Sequence, residues 1–315
     1  MGNTFYFEFE PMLMQWLQDI LGEKGVALIS NFSAFGEEVM MLLVMGFLYW
    51  CYDKKFGVYV GTMGLIASGL NSMVKNVAMR RRPYMVHDEI TCYRPIDKKA
   101  DLYDVGAQGF SFPSGHSMNS AAVYGSVAYY LKKRLFTIIA FVLPFLVGLS
   151  RVVVGMHYPS DVLTGWIGGA IVVLVFSFIY EKAGEERRGL VNLIVLLIFL
   201  TGIFFCRTAD YFTTIGVMAG CFPALEFEKK YVNFEETSDP KVAVLRLVGG
   251  AVIYLGLNTL LKLPFSKAFL ASSTMPSFLV RTGRYAIIAF VLMGIYPMLF
   301  NKKLKNEIGE IDERA

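Results

Sequence analysis

Nine apolar runs, each long or nearly long enough to cross a bilayer, alternate in this chain with short turns that carry charge, proline or glycine. Their limits are 35–52, 58–76, 117–131, 135–152, 161–180, 190–206, 211–225, 242–262 and 284–300. A helix needs about 20 mainly apolar residues to cross the hydrocarbon core, so 117–131 and 211–225 read as tilted or partly buried segments. No water reaches the bilayer interior, and backbone polar groups there must be satisfied within the segment. The expectation is therefore an all-α fold: a polytopic integral-membrane helical bundle of about nine transmembrane helices. Composition agrees, since 55% of the 315 residues are hydrophobic and only 18% charged, away from the balance of a soluble domain. The net charge of +4 does not point to nucleic acid. Its cations cluster between apolar stretches, as in loops flanking spans; the expected partner is the lipid bilayer.

Cys51, Cys92, Cys206 and Cys221 show no CxxC spacing, and a disulfide framework is not expected. No basic stretch leads into an apolar run with a small-residue cleavage site at the N-terminus, so no removable signal is expected. Residues 8–21 place Met12, Leu13, Trp16, Leu17 and Ile20 at helical spacing, with Gln15, Gln18 and Asp19 opposite. Such a helix either lies in the membrane interface or packs as an ordinary N-terminal helix. With nine spans, the turns holding Lys54 and Lys55, Lys132 to Arg134, Lys182 to Arg188, and Lys229 to Lys241, together with the tail Lys302, Lys303 and Lys305, fall on one side. The positive-inside rule makes that side cytoplasmic. The loop 77–116 and the turn 151–160 then share the opposite face. Three parts are expected: 1–34 with the amphipathic helix, 35–185 as a catalytic core, and 186–315 as additional spans.

Chemistry concentrates in three segments. Pro113-Ser114-Gly115-His116 opens an apolar helix. Its unpaired N–H groups and positive dipole end suit an anion, Ser114 caps or donates, and Gly115 permits close backbone approach. Alone, the tetrapeptide reads first as a structural helix cap. In the last segment His157 and Asp161 are four apart across Pro159, on one helix face. Asp161 then holds one ring nitrogen and leaves the other free, while Arg151 offers a planar fork for phosphate oxygens. A membrane-edge polar cluster is the plain alternative, but ionisable groups near membrane depth tend to have a role. In the first segment Lys75 and Arg82 lie seven apart before the helix-breaking Pro83, near one face of a helix. Arg80 and Arg81 read as basic residues of a span end. Of the three histidines, His87 reads as a solvated loop residue.

Taken together, Lys75-x6-Arg82-Pro83, Pro113-Ser114-Gly115-His116 and Ser150-Arg151-x5-His157-x3-Asp161 resemble the signature of the type 2 phosphatidic acid phosphatase superfamily, over roughly residues 60–180. The resemblance implies that Lys75, Arg82, Ser114, Gly115 and Arg151 bind phosphate. It implies that His157 is the nucleophile of a phosphohistidine intermediate, that Asp161 orients it, and that His116 protonates the leaving oxygen. It also implies a metal-independent phosphoric monoester hydrolase without a cofactor, acting on a membrane lipid phosphate or diphosphate. Glucose-6-phosphatases, sphingosine-phosphate phosphatases and vanadium haloperoxidases share the signature. The alternatives are therefore phosphoryl transfer to another acceptor, hydrolysis of a soluble sugar phosphate, or a non-catalytic transporter or scaffold. The location that fits is a bacterial plasma membrane with an extracytoplasmic site, or an endoplasmic reticulum with a lumenal one. In residues 186–315 Gly216 and Gly220 suit close helix packing, and Arg207, Asp210, Glu226 and Arg246 read as span-end anchors, with internal ion pairs or a substrate lining as the alternatives.

Overall fold

In a computed structural model that describes residues 2–300, each of the nine apolar runs lies on helical backbone. The helices are α1 (Phe9–Ser30), α2 (Glu38–Phe47), α3 (Lys54–Ala78), α4 (Val105–Gln108), α5 (Gly115–Leu131) and α6 (Arg134–Val153). They continue as α7 (Pro159–Leu200), α8 (Ala209–Phe227), α9 (Pro240–Leu260), α10 (Lys267–Ala271) and α11 (Met275–Phe290). No strand occurs among the described residues beyond an isolated bridge between Asn3 and Arg80. The basic tail at Lys302, Lys303 and Lys305 lies outside the described residues.

Local chemistry sets the helix ends that matter. The Ser114 side chain accepts from the Ser117 N–H and starts α5, as Ser at an N-cap does. Pro159 occupies the first position of α7, where its missing N–H costs nothing. Lys132 stops α5 in the left-handed region at φ 51°.

Five helical segments are long and apolar enough to cross a membrane, and six if α1 and α2 with their flanking turns form one bent span. The expectation of nine crossings is finer than this. One reason is α7: two of the nine runs belong to a single stretch, Pro159–Phe204, of 46 residues. At about 1.5 Å per residue that is roughly twice the ~30 Å hydrocarbon thickness, and it breaks at Gly184, where φ is 67° and ψ 174°. The other reason is length, since α5 has 17 residues.

The chain forms two compact units. The first comprises residues 2–42, Tyr59–Lys182 and Gly202–Tyr211. The second comprises Leu43–Val58, Ala183–Thr201 and residues 212–300.

In the first unit α1 is inside out. Met12, Trp16 and Ile20 are exposed, while Glu10, Met14 and Gln18 are buried. The helix thus turns the apolar side named above outward, as bilayer surroundings favour, and packs inward with polar groups. Gln18 Nε2 donates to the Thr91 and Val153 carbonyls at 2.8 and 3.0 Å, and its Oε1 accepts from the Thr91 N–H at 3.0 Å. Around this clamp Met14, Val26, Ile90, Val152, Val153, Val154, Met156 and Val162 form a core, each such burial worth about 1.5–3 kcal/mol. Helix α7 lies close on α5 because Gly165 and Gly169 face it. A Cβ at Gly165 would stand 2.8 Å from the Ser114 carbonyl, and one at Gly169 2.5 Å from that of Met118. This small-xxx-small contact sets the second signature segment against the third.

In the second unit Gly216 and Gly220 pack against α11 at Thr282 and Ala286. Arg246 is not a span-end anchor. It is buried, donates to the Trp50 and Glu235 carbonyls, and lies 4.2 Å over the Phe300 ring.

Candidate active site

The first segment reaches the site by leaving its helix. Helix α3 carries Asn71 and Lys75 and ends at Ala78, and Met79 turns the chain in the left-handed region at φ 48°. The residue before a proline is pushed to extended backbone, and Arg82 is extended at φ −72°, ψ 151°. Both Arg80 and Arg82 are 1% exposed. Lys75 is half-buried, and its Nζ would lie 3.9 Å from a Cβ built on Gly115, with Asn71 Oδ1 at 3.2 Å. Glycine keeps that approach open.

The second segment starts α5. Ser114 is buried and its Oγ accepts from Ser117 Oγ at 2.9 Å. His116 projects from the first turn and is half-buried; a Cβ on Gly36 would stand 3.2 Å from it.

The third segment folds back between α6 and α7. The Met156 and His157 N–H groups donate to the Arg151 carbonyl, so Arg151 and His157 sit on one tight turn. Ser114 N–H donates to the Asp161 carbonyl at 3.0 Å, which ties the second segment to the third. Arg151 Nη1 donates to Ser33 Oγ at 3.2 Å.

His157 has two different sides. Its Nε2 lies 3.4 Å from Arg82 Nη1, and a guanidinium only donates, so Nε2 presents its lone pair there. The ring proton then belongs on Nδ1, 3.5 Å from Asp161 Oδ2. That distance is longer than a formed hydrogen bond, in keeping with catalytic contacts that tighten only around substrate. Burial first, and then Arg82, Arg151, Lys75 and His116, depress His157 well below the usual histidine range. It is neutral near pH 7 with an available lone pair.

All eight residues singled out in the sequence stand within this one constellation, through the contacts above and the electrostatic reach of Lys75, Arg82, His116 and Arg151 on His157. Arg80, read above as a basic residue of a span end, and Glu10, which carried no reading, join them. Arg80 is not a solvated span-end cation. Its Nη1 donates to Asp161 Oδ1 at 2.7 Å and to Ser160 Oγ at 2.8 Å, and its Nη2 donates to Glu10 Oε2 at 2.9 Å. The guanidinium is sandwiched, 3.9 Å over the Tyr158 ring and 4.7 Å over that of Phe5. Glu10 is fully buried and also accepts from the Ser160 and Phe7 N–H groups at 2.7 and 2.9 Å. His87 likewise differs from its reading: it packs edge-on against Tyr6 at 4.6 Å, with its side chain only 10% exposed.

Comparison with known proteins supplies the relatives. Residues 56–185 match the PAP2 superfamily, and residues 212–306 match the PAP2 superfamily phosphatase, transmembrane extension. Phosphatidylglycerophosphatase B of Bacillus subtilis (strain 168) is 42% identical over 186 residues, which cover 55% of this chain and 80% of that protein. Undecaprenyl-diphosphatase BcrC of the same organism is 29% identical over 143 residues, covering 45% of this chain and 65% of that one. A solved transmembrane PAP2 type phosphatidylglycerolphosphate phosphatase from Bacillus subtilis aligns with a TM-score of 0.44 at 26% identity, over 56% of this chain and 87% of that one.

Proposed function

This chain belongs to the PAP2 superfamily, and from that premise we propose that it is an integral-membrane phosphatase that hydrolyses a lipid phosphate or diphosphate through a phosphohistidine at His157. The observation that carries this reading is the division of the His157 ring between Asp161 at Nδ1 and the Arg82 side at Nε2. Lys75, Arg82, Arg151 and the Ser114-Gly115 helix start bind the phosphate oxygens. Nε2 attacks phosphorus, the bond from phosphorus to the leaving oxygen breaks, and His116 gives that oxygen its proton. His116 then takes a proton from water as the water oxygen attacks phosphorus, the P–N bond breaks, and inorganic phosphate leaves. Asp161 stabilises the charge that His157 gains, and fixed cations stabilise the equatorial oxygens. Arg80 and Glu10 hold Asp161 in place and act as positioning residues. The charge neutralisation drawn here comes from side chains, with no metal or cofactor in the scheme.

The substrate class is supported by the named activities of the relatives, one on phosphatidylglycerophosphate and one on undecaprenyl diphosphate. The placement we favour is a bacterial plasma membrane with the site at the extracytoplasmic face, on the distribution of Lys and Arg between the turns. Phosphate release by the purified protein is the test, measured with EDTA present on lipid phosphates, lipid diphosphates and glucose-6-phosphate. We expect release from a lipid substrate that survives chelation, labels an acid-labile phosphohistidine, and falls by at least about three orders of magnitude in His157→Ala. Release abolished by EDTA, or undiminished in His157→Ala, sinks the proposal.

A further inference from the structure

The second unit holds a cluster of cations that no ion pair neutralises among the described residues. From residue 240 to residue 306 the sequence has no Asp or Glu. Within that stretch Lys262 follows the end of α9, and Arg281 and Arg284 lie three apart on one face of α11. Arg284 is 6% exposed. Its Nη2 donates to Asn258 Oδ1 at 2.9 Å, a neutral acceptor, and its Nε is buried without a hydrogen-bond partner. Arg281 Nη1 reaches another neutral oxygen, Thr213 Oγ1, at 3.4 Å. The three side chains are close enough to repel one another: burial, and then Arg284 and Arg281, depress the exposed Lys262 ammonium. Every carboxylate of this unit among the described residues precedes residue 240, and Glu228 and Glu185 pair elsewhere, with Lys54 and Lys55.

A cation taken out of water needs a counter-charge or a full set of acceptors, and an ionisable group inside a membrane-spanning segment marks a ligand or ion position by default. Helix α11 belongs to one of the five membrane-length segments, Met275–Phe300. Hydroxyl and amide oxygens fill part of the donor capacity of Arg281 and Arg284, and among the described residues no carboxylate forms an ion pair with either. The arrangement of two guanidinium forks three residues apart, with an ammonium at the rim, matches an anion with several oxygens.

We propose that Lys262, Arg281 and Arg284 form a second phosphate-group site, separate from the His157 centre, that holds the phosphate of an anionic lipid headgroup or free inorganic phosphate. The buried Arg284 fork and the half-buried Arg281 fork grip the oxygens, Asn258 fixes the orientation of Arg284, and Lys262 closes the site from the solvent side. The lipid tails lie along α11, whose apolar side chains Leu279 and Ile287 are exposed. The site needs no catalysis and forms whether or not His157 is intact.

The test uses the full chain carrying His157→Ala, so that no substrate is turned over, in nanodiscs of phosphatidylcholine. Retained phosphatidylglycerol is counted per chain by native mass spectrometry, and inorganic phosphate binding is measured by titration with labelled phosphate. In this background we expect one retained site to disappear on adding Arg284→Gln, and phosphatidylglycerol affinity to fall about tenfold on adding Lys262→Gln. Lys262 is exposed, so its variant leaves the fold intact if Arg284→Gln does not. Arg82→Gln, added separately, should leave this site occupied. Loss in the lipid arm alone assigns a headgroup, and loss in the phosphate arm alone assigns the free anion. Equal retention by all variants in both arms overturns the proposal, as does a loss caused equally by Arg82→Gln.

Discussion

Two buried arginines two residues apart, Arg80 and Arg82, do opposite things with the same charge. Arg80 spends its guanidinium on two carboxylates, Glu10 and Asp161, with aromatic rings of Phe5 and Tyr158 on its faces. Arg82 meets only neutral acceptors: the Gln108 carbonyl at 2.8 Å, the Met156 carbonyl at 3.0 Å and the His157 ring. The first corner is electrically closed and serves as scaffold. The second forms no direct ion pair among the described residues, since Asp161 and Asp210 act on Arg82 only at a distance, and burial together with the nearby cations keeps His157 neutral. Under the proposed function a phosphate completes the second corner and has no place in the first. The cluster at Arg281 and Arg284 belongs to the second kind.

The sharpest way to break this comparison is Arg80→Gln. Removing one partner of a buried ion pair leaves uncompensated charge behind, and the usual cost is about 3–5 kcal/mol. Here two carboxylates, Glu10 and Asp161, would lose their cation at once. We expect a large drop in thermal stability, measured in detergent at fixed lipid content. A melting temperature equal to that of the wild type would mean that the corner is not closed in the way described.

Arg82→Lys should do the reverse. The charge stays and the planar fork is lost, so we expect kcat/KM to fall by about 10²-fold, with a smaller loss of stability than in Arg80→Gln. If Arg82→Lys lowers the melting temperature as far as Arg80→Gln while kcat/KM is unchanged, the roles assigned to the two arginines are exchanged.

Most of the catalytic corner was readable from residue types and spacing, and the scaffold corner was not. His157 and Asp161 sit four apart on one chain segment, and Pro159 sets the helix start between them, so their relation is local. Arg80 had a local signal that was passed over. Once Pro83 forces extended backbone before it, alternate residues share a side, and Arg80 must then point with Arg82 and away from Arg81. Glu10 had none, because its contact with Arg80 spans 70 residues and depends on α1 burying Glu10, Met14 and Gln18 while Met12, Trp16 and Ile20 stay exposed. In water that orientation would be unfavourable; lipid reverses the pattern, so amphipathicity marked the helix without marking which face it buries. The nine runs were likewise visible, but the break of α7 at Gly184 depends on backbone geometry that the hydropathy pattern does not carry.

Glu10→Gln tests the same corner more gently. Glu10 Oε1 can still accept from Ser160 N–H, while Arg80 keeps only one carboxylate. Loss of a hydrogen bond to a charged group costs about 2 kcal/mol. We expect intermediate stability and a lower kcat at nearly unchanged KM, since Glu10 touches the orienting carboxylate through Arg80 and does not touch phosphate. Restoration of kcat by Glu10→Asp would point to charge as the property that matters. A rise in KM alone would move Glu10 from positioning to substrate binding.

The smallest effect is the most direct reading of the difference between the corners. His157 titrates below its ordinary value of about 6.5, and an unfolded chain restores that value. Between the two, the unfolded state binds the proton and the folded state does not. This part of the stability is therefore complete above about pH 6.5 and is lost as pH falls toward the folded value. With only three histidines in the chain, imidazole nitrogen shifts can be followed one by one by NMR, and the signal missing in His157→Ala identifies the residue. Arg82 ranks next to burial among the causes, and Arg80 is not among them. Arg82→Gln should consequently raise the His157 pKa, inorganic phosphate bound in the site should raise it as well, and Arg80→Gln should move it less than either. If Arg80→Gln moves the titration as far as Arg82→Gln does, the two arginines share one field, and the separation between a closed scaffold and an open phosphate site fails.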